Sequence, residues 1–267
     1  MPRIGLIAGN RKFPLIFAQE AKRKGYSVVA VAIKGETHPG LGRLVEKIYW
    51  LDLGEFSRLF EVFSNENITE AVLAGQISPW QLFRPQVKNN PELKSLLNSL
   101  RDKRADTIFR EIARRLEAKG IKLLDSTFLL SDYMPEQGVL TKQKPAAGNL
   151  ADINLGLEIA KEIGGLDIGQ TVAIKNKAIV AIEALEGTDN LIRRAGRIAR
   201  AGVIIIKVSK PAQDMRFDVP VVGLNTVKSL LRAKAAGLAI EANKTLFIDK
   251  EQSLKLADRK GIFITAV

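Results

Sequence analysis

The chain has no cysteine, one histidine and few aromatic residues, and each shortage removes a class of chemistry. Without cysteine there are no disulfides, no thiolate nucleophiles and no cysteine-ligated zinc, a composition compatible with a reducing compartment. With His38 as the single histidine, a serine triad would have to run through that one residue, and the H-E-x-x-H zinc pattern is absent. Histidine-rich dimetal phosphoesterases are excluded on the same count, so any metal must be a hard cation on oxygen ligands, Mg²⁺ or Mn²⁺. His38 stands beside Pro39-Gly40 and reads as a loop residue. Aromatics make up 6% of the chain, too few for a platform that stacks single-stranded bases. No apolar run reaches the ~18 residues needed to cross a bilayer. The first apolar run, Ile4 to Ala8, stops at Gly9-Asn10 and Arg11-Lys12, so no secretory signal is expected and a cytoplasmic location follows.

What is present is an ordinary globular composition with a basic excess. The 267 residues are 46% apolar and 26% charged, with no low-complexity tract, and can form one large or two smaller cores. The 41 lysines and arginines outnumber the 29 acidic residues by 41 − 29 = 12. Such a surplus favours an anionic partner: nucleic acid, an anionic membrane surface or a phosphorylated ligand. The cations are scattered through 11–24, 101–115 and 193–210 rather than gathered in one arm or helix, which argues against nucleic acid and leaves solvated helix faces to account for most of them.

The first third alternates strand and helix: Arg3 to Ala8, Pro14 to Gly25 and Val28 to Ile33 form a β-α-β unit, and Phe56 to Phe63 precedes a further run from Glu70 to Ala74. An open parallel sheet of α/β class follows. Gly9-Asn10, after the first strand, and Gly75-Gln76-Ile77-Ser78-Pro79-Trp80, after Leu73-Ala74, fall on the carboxyl edge where such sheets bind ligands. The dinucleotide pattern G-x-G-x-x-G is incomplete, because Gly5 lies within the strand and only Gly9 in the turn. Pro91 to Lys119 reads as charged helix with a dense cluster at Asp102, Lys103, Arg104 and Asp106.

Proline and glycine gather between Met134 and Asn149, dividing the chain into a domain of residues 1–135 and a second of 136–267. Beyond that boundary Asp152 is expected to cap a helix through Glu162 that ends at Gly164-Gly165. Thr171 to Ile174 and Ala178 to Ile182 alternate as a hairpin about Lys175-Asn176-Lys177. Thr188 or Asp189 is expected to cap a helix from Asn190 to Ala201, and Val203 to Ile206 is a buried strand by its β-branched content.

Two carboxylate clusters carry the chemistry. One is Glu186-Gly187-Thr188-Asp189; the other is the run from Lys207 and Lys210 through Gln213, Asp214, Arg216 and Asp218 to Pro220. Carboxylates can hold a divalent metal and activate water while cations neutralise phosphate oxygens, so the mixture points to a phosphoester site, with a helix cap and a polar loop as the plain structural alternatives.

These segments also carry a resemblance. Gly5-Leu-Ile-Ala-Gly9, Leu73-Ala-Gly75, Asp167-Ile-Gly169-Gln170, Ala181 to Asp189, Lys207 to Pro211, Gln213 to Pro220 and Val222-Gly223 together resemble the UDP-2,3-diacylglucosamine pyrophosphatases of lipid A biosynthesis, the histidine-poor type distinct from calcineurin-like enzymes. The resemblance implies a Rossmann-like N-terminal domain, a C-terminal α/β domain of unusual fold, ligand held between them, and a homodimer. It implies Mg²⁺-dependent hydrolysis of the substrate's pyrophosphate to UMP and 2,3-diacylglucosamine 1-phosphate, with attack on the phosphorus nearer the sugar, at the inner-membrane surface. The family's essential aspartate, in Arg-x-Asp-Leu-Pro, maps onto Asp218 in Arg216-Phe-Asp218-Val-Pro220, with valine for leucine. Gln76 stands where the family often has lysine.

On this reading Asp218, Asp189 and Asp214 are catalytic, and Asp218 and Asp189 hold the metal. Gly9, Asn10, Gly75, Gln76, Gly187, Thr188, Lys207, Lys210, Gln213 and Arg216 bind substrate. A nucleotide-dependent oxidoreductase and a non-enzymatic nucleotide or nucleic-acid-binding module are the alternatives; the second leaves Asp189, Asp214 and Asp218 without work.

Overall fold

A computed structural model describes residues 1–53, 55–77, 91–100 and 105–267. Ser78, Pro79 and Trp80, and the cluster at 102–104, lie outside the described residues, and so does the side chain of Asp106. The chain divides into two units: Met1–Leu130 with Asp214–Asp218, and Ser131–Gln213 with Val219–Val267.

The first unit is built on five parallel strands, β1 (Arg3–Ala8), β2 (Ser27–Ile33), β3 (Lys47–Leu51), β4 (Glu70–Ala74) and β5 (Lys122–Leu123), in the order β3-β2-β1-β4-β5. Among the described residues helices α1 (Phe13–Arg23), α2 (Phe56–Asn65), α3 (Pro91–Asn98) and α4 (Ala105–Ala118) accompany them. The expected β-α-β opening is present. β1, β2 and β4 are buried along almost their whole length, as strands covered on both faces must be, which is why they read as unbroken apolar runs. Phe17 and Phe63 are fully buried, each contributing roughly 1.5–3 kcal/mol. β3 breaks the pattern with exposed Lys47 and half-buried Tyr49, because both close on Glu66 at the sheet edge. His38 lies in a loop, its Nδ1 accepting from the Gly40 N–H at 3.0 Å.

The second unit carries a mixed six-stranded sheet in the order β6-β13-β11-β9-β7-β8. Its strands are β6 (Gly138–Val139), β7 (Thr171–Lys175), β8 (Ala178–Ile182), β9 (Ile204–Lys207), β11 (Gly237–Ile240) and β13 (Phe263–Ala266); β10 (Val221–Val222) and β12 (Leu246–Phe247) pair separately. β9, β11 and β13 are parallel, and the β7–β8 hairpin adds antiparallel to β9. Helices α5 (Ala147–Gly165), α6 (Thr188–Ala199), α7 (Leu224–Arg232) and α8 (Lys250–Arg259) complete it.

Side chains alternate along a strand, so the two faces of β9 separate cleanly. Ile204 and Ile206 pack with Ile153, Ala160 and Ile163 of α5, while Ile205 packs with Leu191 and Ala195 of α6 and Leu230 of α7. By the same alternation Lys207 falls on the α6 face, opposite its cross-strand partner Thr171 on β7.

Two expected caps are corrected. Asp152 lies inside α5, not at its start, and is 5% exposed. Its oxygens accept the N–H groups of Asn176 at 2.9 Å and Lys177 at 2.6 Å, the two residues of the β7–β8 turn, both at positive φ. Such turns favour glycine, and the carboxylate offsets the strain by holding both amides. Likewise α6 begins at Thr188 on Gly187, with no side-chain cap, because the Thr188 hydroxyl is bonded elsewhere.

Replacing Asp152 with Ala should therefore cost about 2–3 kcal/mol of unfolding free energy, since two turn amides lose a charged acceptor. Urea denaturation of the full chain checks this; a loss below about 0.5 kcal/mol would contradict the role, surface substitutions being of that size.

Candidate functional site

In the first unit the β1–α1 and post-β4 loops meet backbone to backbone. The Gly9 N–H donates to the Ala74 carbonyl at 2.8 Å and the Asn10 N–H to the Gln76 carbonyl at 2.7 Å. A Cβ on Gly9 would stand 2.5 Å from that Gln76 oxygen, so glycine here serves the close approach of two chains. Gly75, at φ +88°, makes the matching turn. The Asn10 side-chain amide donates to Glu36 at 2.6 Å. Beneath these loops runs an apolar crevice lined by Ile7, Val31, Leu51, Leu59, Leu73 and Phe109.

The segment Asp214–Asp218 belongs to this first unit although it is late in the sequence. Phe217 anchors it: the ring is 6% exposed, sits in the core with Ile7, Leu73 and Ile112, and stacks on Phe109 at 5.6 Å. Ser126, fully buried, fixes the backbone on the other side. Its N–H donates to the Met215 carbonyl at 2.9 Å, and its hydroxyl lies between the carbonyls of Leu73 and Arg216. Arg216 then closes on Asp214, with Nε 2.9 Å from Oδ1 and the second nitrogen 2.8 Å from Oδ2, and also reaches Glu117 at 3.1 Å. The hydrogen bonds from Arg216 hold the Asp214 carboxyl below its ordinary range against the opposing effect of burial. Asp218 is half-buried, its N–H donating to the Asp214 carbonyl at 3.1 Å. Asp214, Arg216 and Asp218 are thus brought together, and the guanidinium expected to face phosphate is occupied by carboxylates.

The second unit gathers Thr188, Lys207 and Glu183 at one end of its sheet. Lys207 closes β9 and is 6% exposed; its ammonium donates to the Thr188 hydroxyl at 2.7 Å. Thr188 opens α6 and donates to Glu183 Oε1 at 2.9 Å. Glu183, just past β8, is placed by its N–H bond to the Thr171 carbonyl at 2.9 Å. Gly169 is required opposite it, because a Cβ there would stand 2.1 Å from the Glu183 carbonyl oxygen. Gly187 supplies a turn at φ +81° before α6. Asp189 lies in the first turn of α6, where a carboxylate suits the helix dipole, with Ser229 Oγ at 3.5 Å.

The chain leaving β9 is held by a second buried knot. Ser209, 1% exposed, donates its N–H and hydroxyl to Glu241, which also receives Lys161 at 2.6 Å. Burial alone would raise the Glu241 carboxyl, but Lys161, Lys244 and Ser209 outweigh it and hold it at about 2. Lys210 pairs with Asp167 at 2.7 Å, and Gln213 Oε1 accepts the Lys210 N–H at 2.8 Å. Of the expected phosphate cations, Lys207 has no carboxylate within ion-pair distance among the described residues, whereas Lys210 and Arg216 do.

Sequence reading missed Phe217, Ser126, Glu183, Ser209 and Glu241 as determinants of these clusters. Glu183 alone left a signal, a single carboxylate inside the apolar run from Ala178 to Leu185.

Among the described residues no three of His, Cys, Asp and Glu gather as a metal cluster, and no helix is long and apolar enough to cross a membrane. Mg²⁺ keeps several waters and is commonly bound by one or two carboxylates together with substrate phosphates, so half-buried Asp218 fits a metal that arrives with an anionic substrate.

An α/β chain with a buried ammonium and carboxylates at strand and helix ends is of a kind suited to phosphorylated ligands. Residues 3–133 match the LpxI N-terminal domain and residues 136–265 the LpxI C-terminal domain, and the chain belongs to the LpxI family. It is 30% identical over 277 aligned positions to the UDP-2,3-diacylglucosamine pyrophosphatase LpxI of Caulobacter vibrioides, covering all of this chain and 98% of that one. Solved structures with some likeness include the biotin carboxylase domain of the Hydrogenobacter thermophilus 2-oxoglutarate carboxylase, at 13% identity, 73% of this chain and TM-score 0.30. Another is the N5-carboxyaminoimidazole ribonucleotide synthetase of Thermotoga maritima, at 12% identity, 66% of this chain and TM-score 0.29. The chain spans 41% and 34% of those two chains, and likenesses this weak carry no argument.

Replacing Arg216 with Met should raise the Asp214 pKa towards that of an ordinary aspartate, because the largest influence lowering it is removed. Carboxyl-carbon NMR titration checks this, and an unmoved Asp214 would contradict the pairing.

Proposed function

We propose that this protein hydrolyses the pyrophosphate bond of UDP-2,3-diacylglucosamine, giving UMP and 2,3-diacylglucosamine 1-phosphate for lipid A synthesis. The observation that carries the reading is the match of both LpxI domains over almost the whole chain, joined by a full-length relative named for that activity. The local chemistry supports it. A diphosphate repels an incoming oxygen nucleophile through its anionic oxygens, and the buried Lys207 ammonium is suited to neutralise them. Asp218 is proposed to orient the attacking water and take up its proton. Phe217, the Ser126 contacts and the Asp214–Arg216 pair hold the backbone that presents it. Asp218, with Asp189 as the further candidate, would hold Mg²⁺, which when bound supplies Lewis-acid neutralisation of phosphoryl charge.

The apolar crevice of the first unit has the chemistry an acyl chain needs. The surplus of 12 positive charges suits an anionic membrane surface, where a lipid-linked substrate lies, and peripheral attachment there from the cytoplasmic side is part of the proposal.

Asp218→Ala should lower kcat by at least about 10³-fold with the thermal midpoint unchanged, as expected when a group acting only in the transition state is lost. EDTA should abolish wild-type turnover and Mg²⁺ restore it. Substantial activity in the folded variant would remove Asp218 from the role; full activity in EDTA would remove the metal. Binding to vesicles containing phosphatidylglycerol should weaken steeply as salt screens the charge, and binding indifferent to salt would count against electrostatic attachment.

A further inference from the structure

Lys207, Thr188 and Glu183 form a chain of hydrogen bonds whose direction is fixed. An ammonium can only donate and an ionised carboxylate can only accept, so the single Thr188 proton points at Glu183 Oε1, 2.9 Å away, and its lone pair at Lys207 Nζ, 2.7 Å away. Thr188 therefore has no proton left to offer a ligand. The Thr171 hydroxyl, 3.4 Å from Thr188 Oγ1, flanks the pair.

Both ends of this chain of hydrogen bonds are incompletely satisfied among the described residues. Lys207 is 6% exposed and makes one of the three hydrogen bonds its ammonium can donate, with no other acceptor among the described residues. Glu183 is 7% exposed, and its Oε2 is buried without a hydrogen-bond partner among the described residues. A carboxylate buried with one oxygen unpaired costs free energy that an apolar residue would not. The cluster also abuts the first turn of α6, which no side chain caps.

We infer that Glu183 is a positioning residue for the phosphate-binding cation, acting on Lys207 through the Thr188 hydroxyl. The inference rests on the reading that the protein binds a diphosphate, and assigns Thr188 as a relay in place of a direct phosphate donor. With Glu183 present, the Thr188 proton is drawn away from the ammonium, the Thr188 oxygen anchors one Lys207 N–H, and the other two are left for phosphate oxygens. With an amide at 183, the Thr188 hydroxyl can turn and the anchor is lost. Glu183 itself does not touch substrate.

The test is a double-mutant cycle on the full chain with Glu183→Gln, Lys207→Met and both together, following UMP release. Glu183→Gln should lower kcat/KM about tenfold, with KM raised because the cation also meets the bound diphosphate, and Lys207→Met should lower kcat/KM about 100-fold. The double variant should match Lys207→Met within about twofold, because Glu183 has nothing left to position. Thr188→Ser, which keeps the hydroxyl, should stay about tenfold more active than Thr188→Val, and thermal unfolding shows that each variant is folded. Additive losses, or wild-type kinetics in Glu183→Gln, would overturn the inference while leaving the pyrophosphatase reading intact. Calorimetric binding of inorganic pyrophosphate separates the two. If the wild type does not cleave UDP-2,3-diacylglucosamine but binds pyrophosphate, and both Glu183→Gln and Lys207→Met weaken that binding non-additively, the positioning role stands and the substrate reading falls. If Glu183→Gln binds pyrophosphate as wild type does, the positioning role falls.

Discussion

An ammonium buried at the end of a strand must be given a partner, and in the second unit that requirement orders everything around it. Lys207 ends β9 on the face where Ile205 packs under α6, so its stem is spent in the core and its charge emerges beside Thr171 and the start of α6. A carboxylate placed directly against it would have neutralised it. The fold instead inserts the Thr188 hydroxyl, keeping a positive charge that is anchored and incompletely satisfied. Gly169 and Gly187 are the backbone conditions for this: one lets the Glu183 carbonyl pass, the other turns the chain into an uncapped helix.

The first unit solves the complementary problem of holding a carboxylate near the surface on a rigid backbone. It does so by packing Phe217 into its core and tying the adjoining peptides to Ser126, so the five residues Asp214–Asp218 take their order from a sheet far away in sequence. The bidentate Asp214–Arg216 pair stiffens the same turn. In the second unit Lys210 pairs with Asp167 and Lys161 with Glu241, whereas Lys207 is met by a hydroxyl.

The elements legible in the sequence were those whose pattern is local. β1, β2 and β4 announce themselves as short apolar runs, with Gly9 and Gly75 turning the chain after β1 and β4, and the β7–β8 hairpin by two apolar runs about the polar turn Asn176-Lys177. Four-residue strands such as β11 and β13 merge into apolar sequence and show themselves only once paired. Asp152 looked like a cap because caps and turn-holding carboxylates have the same composition; only the tertiary approach of the hairpin turn to α5 tells them apart. In the candidate site, charge at strand ends and helix starts was visible, and Lys207 and Thr188 do stand there. Which cations were already paired was not, because Asp167 and Lys210 are distant in sequence and their pairing is decided by packing.

The most direct test of the central claim is a phosphorus NMR spectrum of UDP-2,3-diacylglucosamine incubated with the wild-type protein and Mg²⁺. The account predicts that the diphosphate resonances give way to two phosphomonoesters in equal amounts, UMP and the sugar 1-phosphate. A diphosphate left intact by the folded protein would contradict it.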